Sequence, residues 1–155
     1  MSSSPEIARS ASERLQESEL GSDISFLLAR ANALSVSAGN AALASFGLKV
    51  RSFSVLALVV GDVRPTQRDL SEFLRLDPSQ VVALIDDLEK RGLVERRPDP
   101  ADRRANVVVA TAEGRALHAS AAVATAAAER ALHGDVDDAD RRRLADLLGR
   151  IAYPR

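Results

Sequence analysis

The chain has 155 residues, with 21 Lys and Arg against 22 Asp and Glu; a net charge of −1 fits one domain with added helices and excludes a globally basic nucleic-acid coat. Hydrophobic residues make up 46% but aromatics only 3%, so the expected core is Leu, Val, Ile and Ala, a composition that lets helices approach closely. With no Cys, disulfides, thiolate metal sites and thiol redox sensing are excluded; without a membrane-length apolar run or a signal-peptide pattern, a soluble cytoplasmic protein is expected.

Residues 1–21 are rich in Ser and Glu and close on Gly21, which suits a mobile arm or a short helix. Ser22 or Asp23 can cap a long helix in which Ile24, Leu27, Leu28, Ala31, Leu34 and Ala38 recur at helical spacing, ending near Phe46-Gly47. A second helix over about 50–60 is expected to turn Phe53, Leu56, Ala57 and Val60 to the core, and Val63–Pro65 reads as a short strand or a turn. Thr66 caps a two-turn helix through Leu74 that should bury Leu70, Phe73 and Leu74. Asp77 caps the next, with Pro78 at the first helical position, where its missing N–H costs nothing. There Val81, Leu84, Ile85 and Leu88 stand at i, i+3, i+4 and i+7, which sends Ser79, Gln80, Val82, Ala83, Asp86, Asp87 and Lys90 to the opposite face. Gly92 stops that helix, and strands over 93–97 and 106–110 flank a loop holding Pro98 and Pro100. Thr111 caps an Ala-rich helix to about His133, and Asp137 and Asp140 start a last helix carrying Leu144, Leu147, Leu148 and Ile151. That apolar stripe has no evident partner within so small a domain, so a homodimer is expected.

Two short amphipathic helices followed by a hairpin form a helix-turn-helix with a wing: one helix can enter the DNA major groove while the hairpin reaches the minor groove. The local charge agrees. Between Lys90 and Arg104, Lys90, Arg91, Arg96, Arg97, Arg103 and Arg104 face only Glu95, Asp99 and Asp102, a local excess of three positive charges for phosphates. A loop held by Asp102 and tipped by Arg103 and Arg104 suits a narrow minor groove, whose negative potential attracts guanidinium groups.

The segment LDPSQVVALIDDLEKRGLVERRPDPADRRANVVVATAEG resembles the DNA-binding core of the MarR family of transcriptional regulators, above all in the D-x-R element at Asp102–Arg104 and the strand-Thr-x-x-Gly exit at Val107–Gly114. With the flanking helices, the resemblance spans roughly 22–152. It implies a mainly α fold with a small β wing: a winged lobe over 50–110, with dimerisation helices at 22–49 and 111–155. It also implies a homodimer that represses genes from a short palindromic operator and releases DNA when a small phenolic or aromatic ligand binds. Carried over by position, Arg104 is the minor-groove arginine and Asp102 the carboxylate that orients it. Ser79, Gln80, Val82 and Ala83 take the base-facing positions, while Thr66 and Gln67 begin the supporting helix. Asp86 fits the pattern as a partner for a nearby arginine. Val82 and Ala83 stand where members often carry Thr and Arg, and Asp87 departs from the pattern as well.

A ligand pocket is expected between the dimerisation helices and the DNA-binding lobe, in the regions of Asn32, Ser35, Ser37, Phe46, Arg51 and Phe53, where a few polar groups stand among apolar walls. His118 and His133 are the only histidines; Glu129 and His133 stand at i, i+4 but lack a third metal ligand, so both histidines are expected at the surface or in the dimer interface. No Ser/His/Asp constellation, Gly-rich phosphate loop or HExxH pattern is present, so neither catalysis nor a cofactor is expected. The alternative to a ligand-responsive repressor is a winged-helix architectural or protein-interaction module without an effector.

Overall fold

The computed structural model describes residues 10–102 and 104–154, and chain contacts divide it after Ser37 into two compact units. In the first unit, α1 (Ala11–Gln16) is closed by a reciprocal cap: the Ser10 hydroxyl accepts from the Glu13 N–H, and the Ser10 N–H donates to the Glu13 carboxylate. A 3-10 turn over Leu20–Ser22 leads into α2 (Ile24–Leu43), which starts on the Asp23 carboxylate, an acceptor for the Phe26 N–H at 2.8 Å. Ile24, Leu27, Leu28 and Leu34 are exposed along this helix.

The second unit begins within the last two turns of α2. A 3-10 turn (Ala44–Phe46) closes that helix on Gly47, whose φ of +62° is the left-handed conformation that favours glycine. The helix α3 (Val50–Val59) begins with two N–H groups satisfied from outside its own ladder: Lys49 donates to the Ser52 hydroxyl, and Val50 to the Asn40 side-chain carbonyl, both at 2.9 Å. Its buried stripe is Ser52, Val55, Leu56 and Val59, which corrects the expected face. Phe53 and Val60 are only half-buried and Ala57 is exposed. The helix is apolar almost all round, so two registers compete in its sequence, and the packing partners choose between them.

The supporting helix α4 (Gln67–Leu74) and α5 (Pro78–Lys90) make the helix-turn-helix. Their turn bends at Arg75, with φ +53°, and is tied by the buried Ser71 hydroxyl, which donates to the Leu76 carbonyl at 2.7 Å. Leu70 is buried and Leu74 half-buried, but Phe73 is exposed and stacks on Tyr153 with ring centroids 6.1 Å apart. The buried face of α4 is Leu70 and Ser71 with Leu74 half-buried, and Phe73 lies off that face.

The wing is an antiparallel pair, β1 (Val94–Pro98) with β2 (Asn106–Ala110), in a register that sets Val94 opposite Ala110 and Pro98 opposite Asn106. Thr66 bridges to Val107, and Pro65 accepts from the Val108 N–H at 2.8 Å, so the segment before α4 adds a short third rung. The helix α6 (Ala112–Leu132) leaves the sheet through Thr111, whose hydroxyl accepts from Gly114 at 3.0 Å and donates to the Gly92 carbonyl at 2.7 Å. A Cβ on Gly114 would stand 1.9 Å from the Leu93 carbonyl oxygen, which is why the exit motif needs glycine there. The last helix, α7 (Asp138–Ala152), is capped by Asp137, and its Leu144, Leu147, Leu148 and Ile151 all remain exposed.

The core lies where α3, α4, α5 and the base of the wing meet, around Leu43, Leu56, Leu70, Ile85, Leu88 and Val108. None of its buried members is aromatic. No single helix among the described residues is long and apolar enough to cross a membrane.

Candidate nucleic-acid interface

The α5 helix buries Val81, Ile85 and Leu88 and half-buries Leu84, and that packing sets which residues look outward. Ser79, Gln80, Val82, Ala83, Asp86, Asp87 and Lys90 are all exposed. They present a short polar row interrupted by two apolar side chains, Val82, at 37% exposure, and Ala83. The N-terminus of the helix is fixed by Asp77, whose carboxylate accepts from both the hydroxyl and the N–H of Ser79, the latter at 2.8 Å. Those two bonds, the hydroxyl first, hold the Asp77 carboxyl below the usual carboxylate range.

The start of α4 is held in the same manner. Thr66 and Asp69 form a reciprocal cap, in which the Asp69 N–H donates to the Thr66 hydroxyl at 3.2 Å and the Thr66 N–H to the Asp69 carboxylate at 2.8 Å. The Thr66 hydroxyl also donates to that carboxylate, and it is the main reason the Asp69 pKa is lowered.

Arg96 sits at the centre of the site. Its Nε donates to the Gln67 carbonyl oxygen at 2.8 Å and its Nη2 to Asp86 at 2.5 Å, while Nη1 pairs with Glu89, which also accepts the Arg96 backbone N–H at 3.1 Å. One guanidinium thus joins α4, α5 and β1, with its side chain only 23% exposed. Three of its five N–H donors are spent inside the protein, and its single positive charge offsets part of the negative charge of Asp86 and Glu89. Asp86 is its partner, as the sequence pattern implies. Gln67 lends its side-chain carbonyl to the same network, and its amide NH2 can donate elsewhere.

At the wing, Arg97 pairs with Glu95, both partly exposed. The loop is closed by Asp99 donating to the Ala105 carbonyl and Ala105 to the Asp102 carbonyl, both at 2.9 Å. The Asp99 carboxylate accepts from the Ala101 N–H at 2.8 Å, and the Asp102 carboxylate from the Arg104 N–H at 3.0 Å. Asp102 therefore shapes the backbone that presents Arg104, the residue its carboxylate is expected to orient. Arg104 is exposed; Arg103 lies outside the described residues. Behind the wing, a half-open polar cleft of about 330 Å³ runs between Asp62, Arg64, Glu95, Arg97 and Arg115.

The residues expected to line a ligand pocket divide between the units. Asn32, Ser35 and Ser37 are exposed on the first-unit part of α2, whereas Phe46 and Phe53 are half-buried and Arg51 exposed in the second unit. Phe53 stacks on His118 with centroids 5.3 Å apart and planes inclined by 13°. His118 is thus half-buried against α3, which its position in an Ala-rich helix did not signal. His133 stands 3.9 Å from Glu129, and among the described residues no cluster of three or more His, Cys, Asp or Glu is placed to hold a metal ion. Sequence reasoning also missed Arg91 and Arg115. Arg91 donates to the Gly47 and Phe46 carbonyls, and Arg115 to the Val60 carbonyl. Nothing local marks such partners, 44 to 55 residues away.

Residues 46–105 match the model of the MarR family. Two solved structures are 41% identical to the chain, each covering 88% of it and 96% of the other protein. One is a MarR-family transcriptional regulator from Rhodococcus sp. RHA1, with a TM-score of 0.83. The other is CouR from Rhodococcus jostii RHA1 bound to p-coumaroyl-CoA, with a TM-score of 0.79. Wild-type MarR from E. coli, at 22% identity and covering 83% of this chain and 96% of its own, shares the fold with a TM-score of 0.73. No curated protein matches the sequence.

Proposed function

The chain belongs to the MarR family of winged-helix transcriptional regulators, and on that premise we propose that it is a dimeric repressor that releases a palindromic operator when a small aromatic ligand binds. The observation that carries the reading is the exposed outer face of α5 beside strand β1 of the wing. Ser79, Gln80, Val82 and Ala83 are offered to base edges while Asp77, Gln67 and Arg96 hold the helix in place. Arg104 enters the minor groove from the loop that Asp102 shapes, and Lys90 and Arg97 meet phosphates.

Dimerisation uses the exposed apolar stripes. Leu144, Leu147, Leu148 and Ile151 on α7 are exposed, as are Ile24, Leu27, Leu28 and Leu34 on α2, and a second copy covers them in this reading. Two copies place two recognition helices on half-sites about one helical turn apart, which is why the operator is palindromic.

For the effector we take the class from CouR, a protein 41% identical that binds p-coumaroyl-CoA: an aromatic acid or its CoA thioester. Phe46, Arg51 and Phe53 are the second-unit residues that suit an aryl group and its carboxyl or thioester. By linkage, a ligand that weakens the DNA complex must bind the DNA-free protein more tightly by the same factor. The test is titration of the protein on a duplex it selects from a random pool, with p-coumaroyl-CoA, p-coumarate and CoA alone, beside thermal shifts of the free protein. Release of the duplex together with a raised Tm for an aromatic member supports the reading. Neither effect from any aromatic acid or thioester favours the effector-independent architectural module.

A further inference from the structure

We propose that Arg91 is a positioning residue that couples the joint between α2 and α3 to the C-terminal end of the recognition helix. Arg91 is the C-cap of α5, and its side chain reaches back 44 and 45 residues, Nη1 donating to the Gly47 carbonyl at 2.8 Å and Nη2 to the Phe46 carbonyl at 2.9 Å. Those carbonyls end the 3-10 turn Ala44–Phe46 that closes α2. The last carbonyls of a helix lack intrahelical donors and carry the negative end of its dipole, so a cation there satisfies both needs. A planar two-pronged guanidinium spans two adjacent carbonyls in a way that a single ammonium does not.

The joint is shaped around this group. Gly47 has φ +62°, and a Cβ there would stand 3.3 Å from Nη2 and 3.7 Å from Cζ of Arg91. The positive φ favours glycine, and a Cβ there would press on the end of the Arg91 side chain. The apolar packing of α5 on α3 tolerates small slides, because it is non-directional. The clamp does not. A shift of the joint by an ångström or more either carries the end of α5 with it or breaks both bonds. Phe46, Arg51 and Phe53 lie in or next to the joint, so a disturbance there reaches the DNA-reading helix through one side chain. Both bonds are exposed to water, which puts the coupling at the low end of the usual range, about fivefold. The inference needs only DNA binding by α5 and is independent of the effector's identity.

The test is deuterium exchange of the backbone amides of residues 44–50, with and without a saturating duplex selected by the wild-type protein. Coupling is reciprocal, so DNA held by α5 should slow exchange in 44–50 about fivefold in the wild type. In Arg91→Met that distant protection should vanish while the amides of α5 itself remain protected by DNA. Arg91→Lys, which keeps the charge but reaches one carbonyl at a time, should lose at least half of it. If Arg91→Met does not fold, Arg91→Lys decides by the same two readouts. Equal protection of 44–50 in the wild type and the variants, or none in the wild type, overturns the proposal.

Discussion

The double variant Asp86→Asn with Arg96→Gln separates a strut from a phosphate contact, because it removes one negative and one positive charge and leaves the net charge unchanged. Arg96 is 23% exposed and Asp86 59%, so their pair is partly screened; the bonds to Gln67 and Glu89 are better shielded. Taking a few tenths to one kcal/mol for the exposed pair and about 1 kcal/mol for the remaining bonds, the loss of folding stability is about 1–2 kcal/mol. For a chain of this length that lowers Tm by roughly 2–8 °C. On DNA, loosening the wing against the recognition helix should reduce affinity for a selected duplex about tenfold while hardly changing affinity for a scrambled one. Fluorescence anisotropy between about 50 and about 200 mM salt gives the decisive quantity, the slope of log affinity against log salt. A strut leaves that slope as in the wild type. A slope lower by about 0.9 for each protomer would show that Arg96 neutralises a phosphate, and the assignment would fail.

Other consequences follow from single contacts. Gly114→Ala should destabilise the fold by about 1–3 kcal/mol in urea unfolding, because its Cβ would meet the Leu93 carbonyl oxygen at 1.9 Å. Gly149→Ala, with open space around it, is the control and should stabilise. Replacing Leu147 and Leu148 with Lys should yield monomers by light scattering, and a persisting dimer would move the pairing surface elsewhere. The Asp69 carboxyl is held below its ordinary pKa by Thr66, so its contribution is full at neutral pH and is lost as pH falls through the acid side of the carboxylate range. The gap in urea midpoint between wild type and Asp69→Asn should therefore shrink from pH 7 to about pH 3; a constant gap would refute that linkage.

Much of this architecture is written in short-range patterns. Pro78 after Asp77, the i, i+3, i+4, i+7 row from Val81 to Leu88 and the Thr111–Gly114 exit each specify an element through neighbours within one or two turns. The outward face of α5 follows from the inward one. What escaped was decided by partners distant in sequence. In α3, apolar residues on nearly every side left the buried face to be chosen by tertiary contacts, and Val55 and Val59 won over Phe53 and Val60. Phe73 faces outward, and the buried face of α4 takes in Ser71, whose hydroxyl ties the turn to α5. Arg96 and Arg97 are adjacent and look alike as sequence, but strand alternation sends Arg96 inward to Gln67, Asp86 and Glu89 and leaves Arg97 at the surface. Asp102 does stand at the wing tip, but its bond is to a backbone N–H, which charge pattern alone does not reveal.

Base recognition by α5 and the wing is measured most directly by one comparison. The wild-type protein is titrated at physiological salt against a palindromic duplex of its own selection and against a scrambled duplex of equal length and composition. An affinity ratio of about 10³ or more is the expected result, the usual margin of a specific site over non-specific DNA. A ratio near one would contradict sequence recognition and leave a winged helix that holds DNA by charge alone.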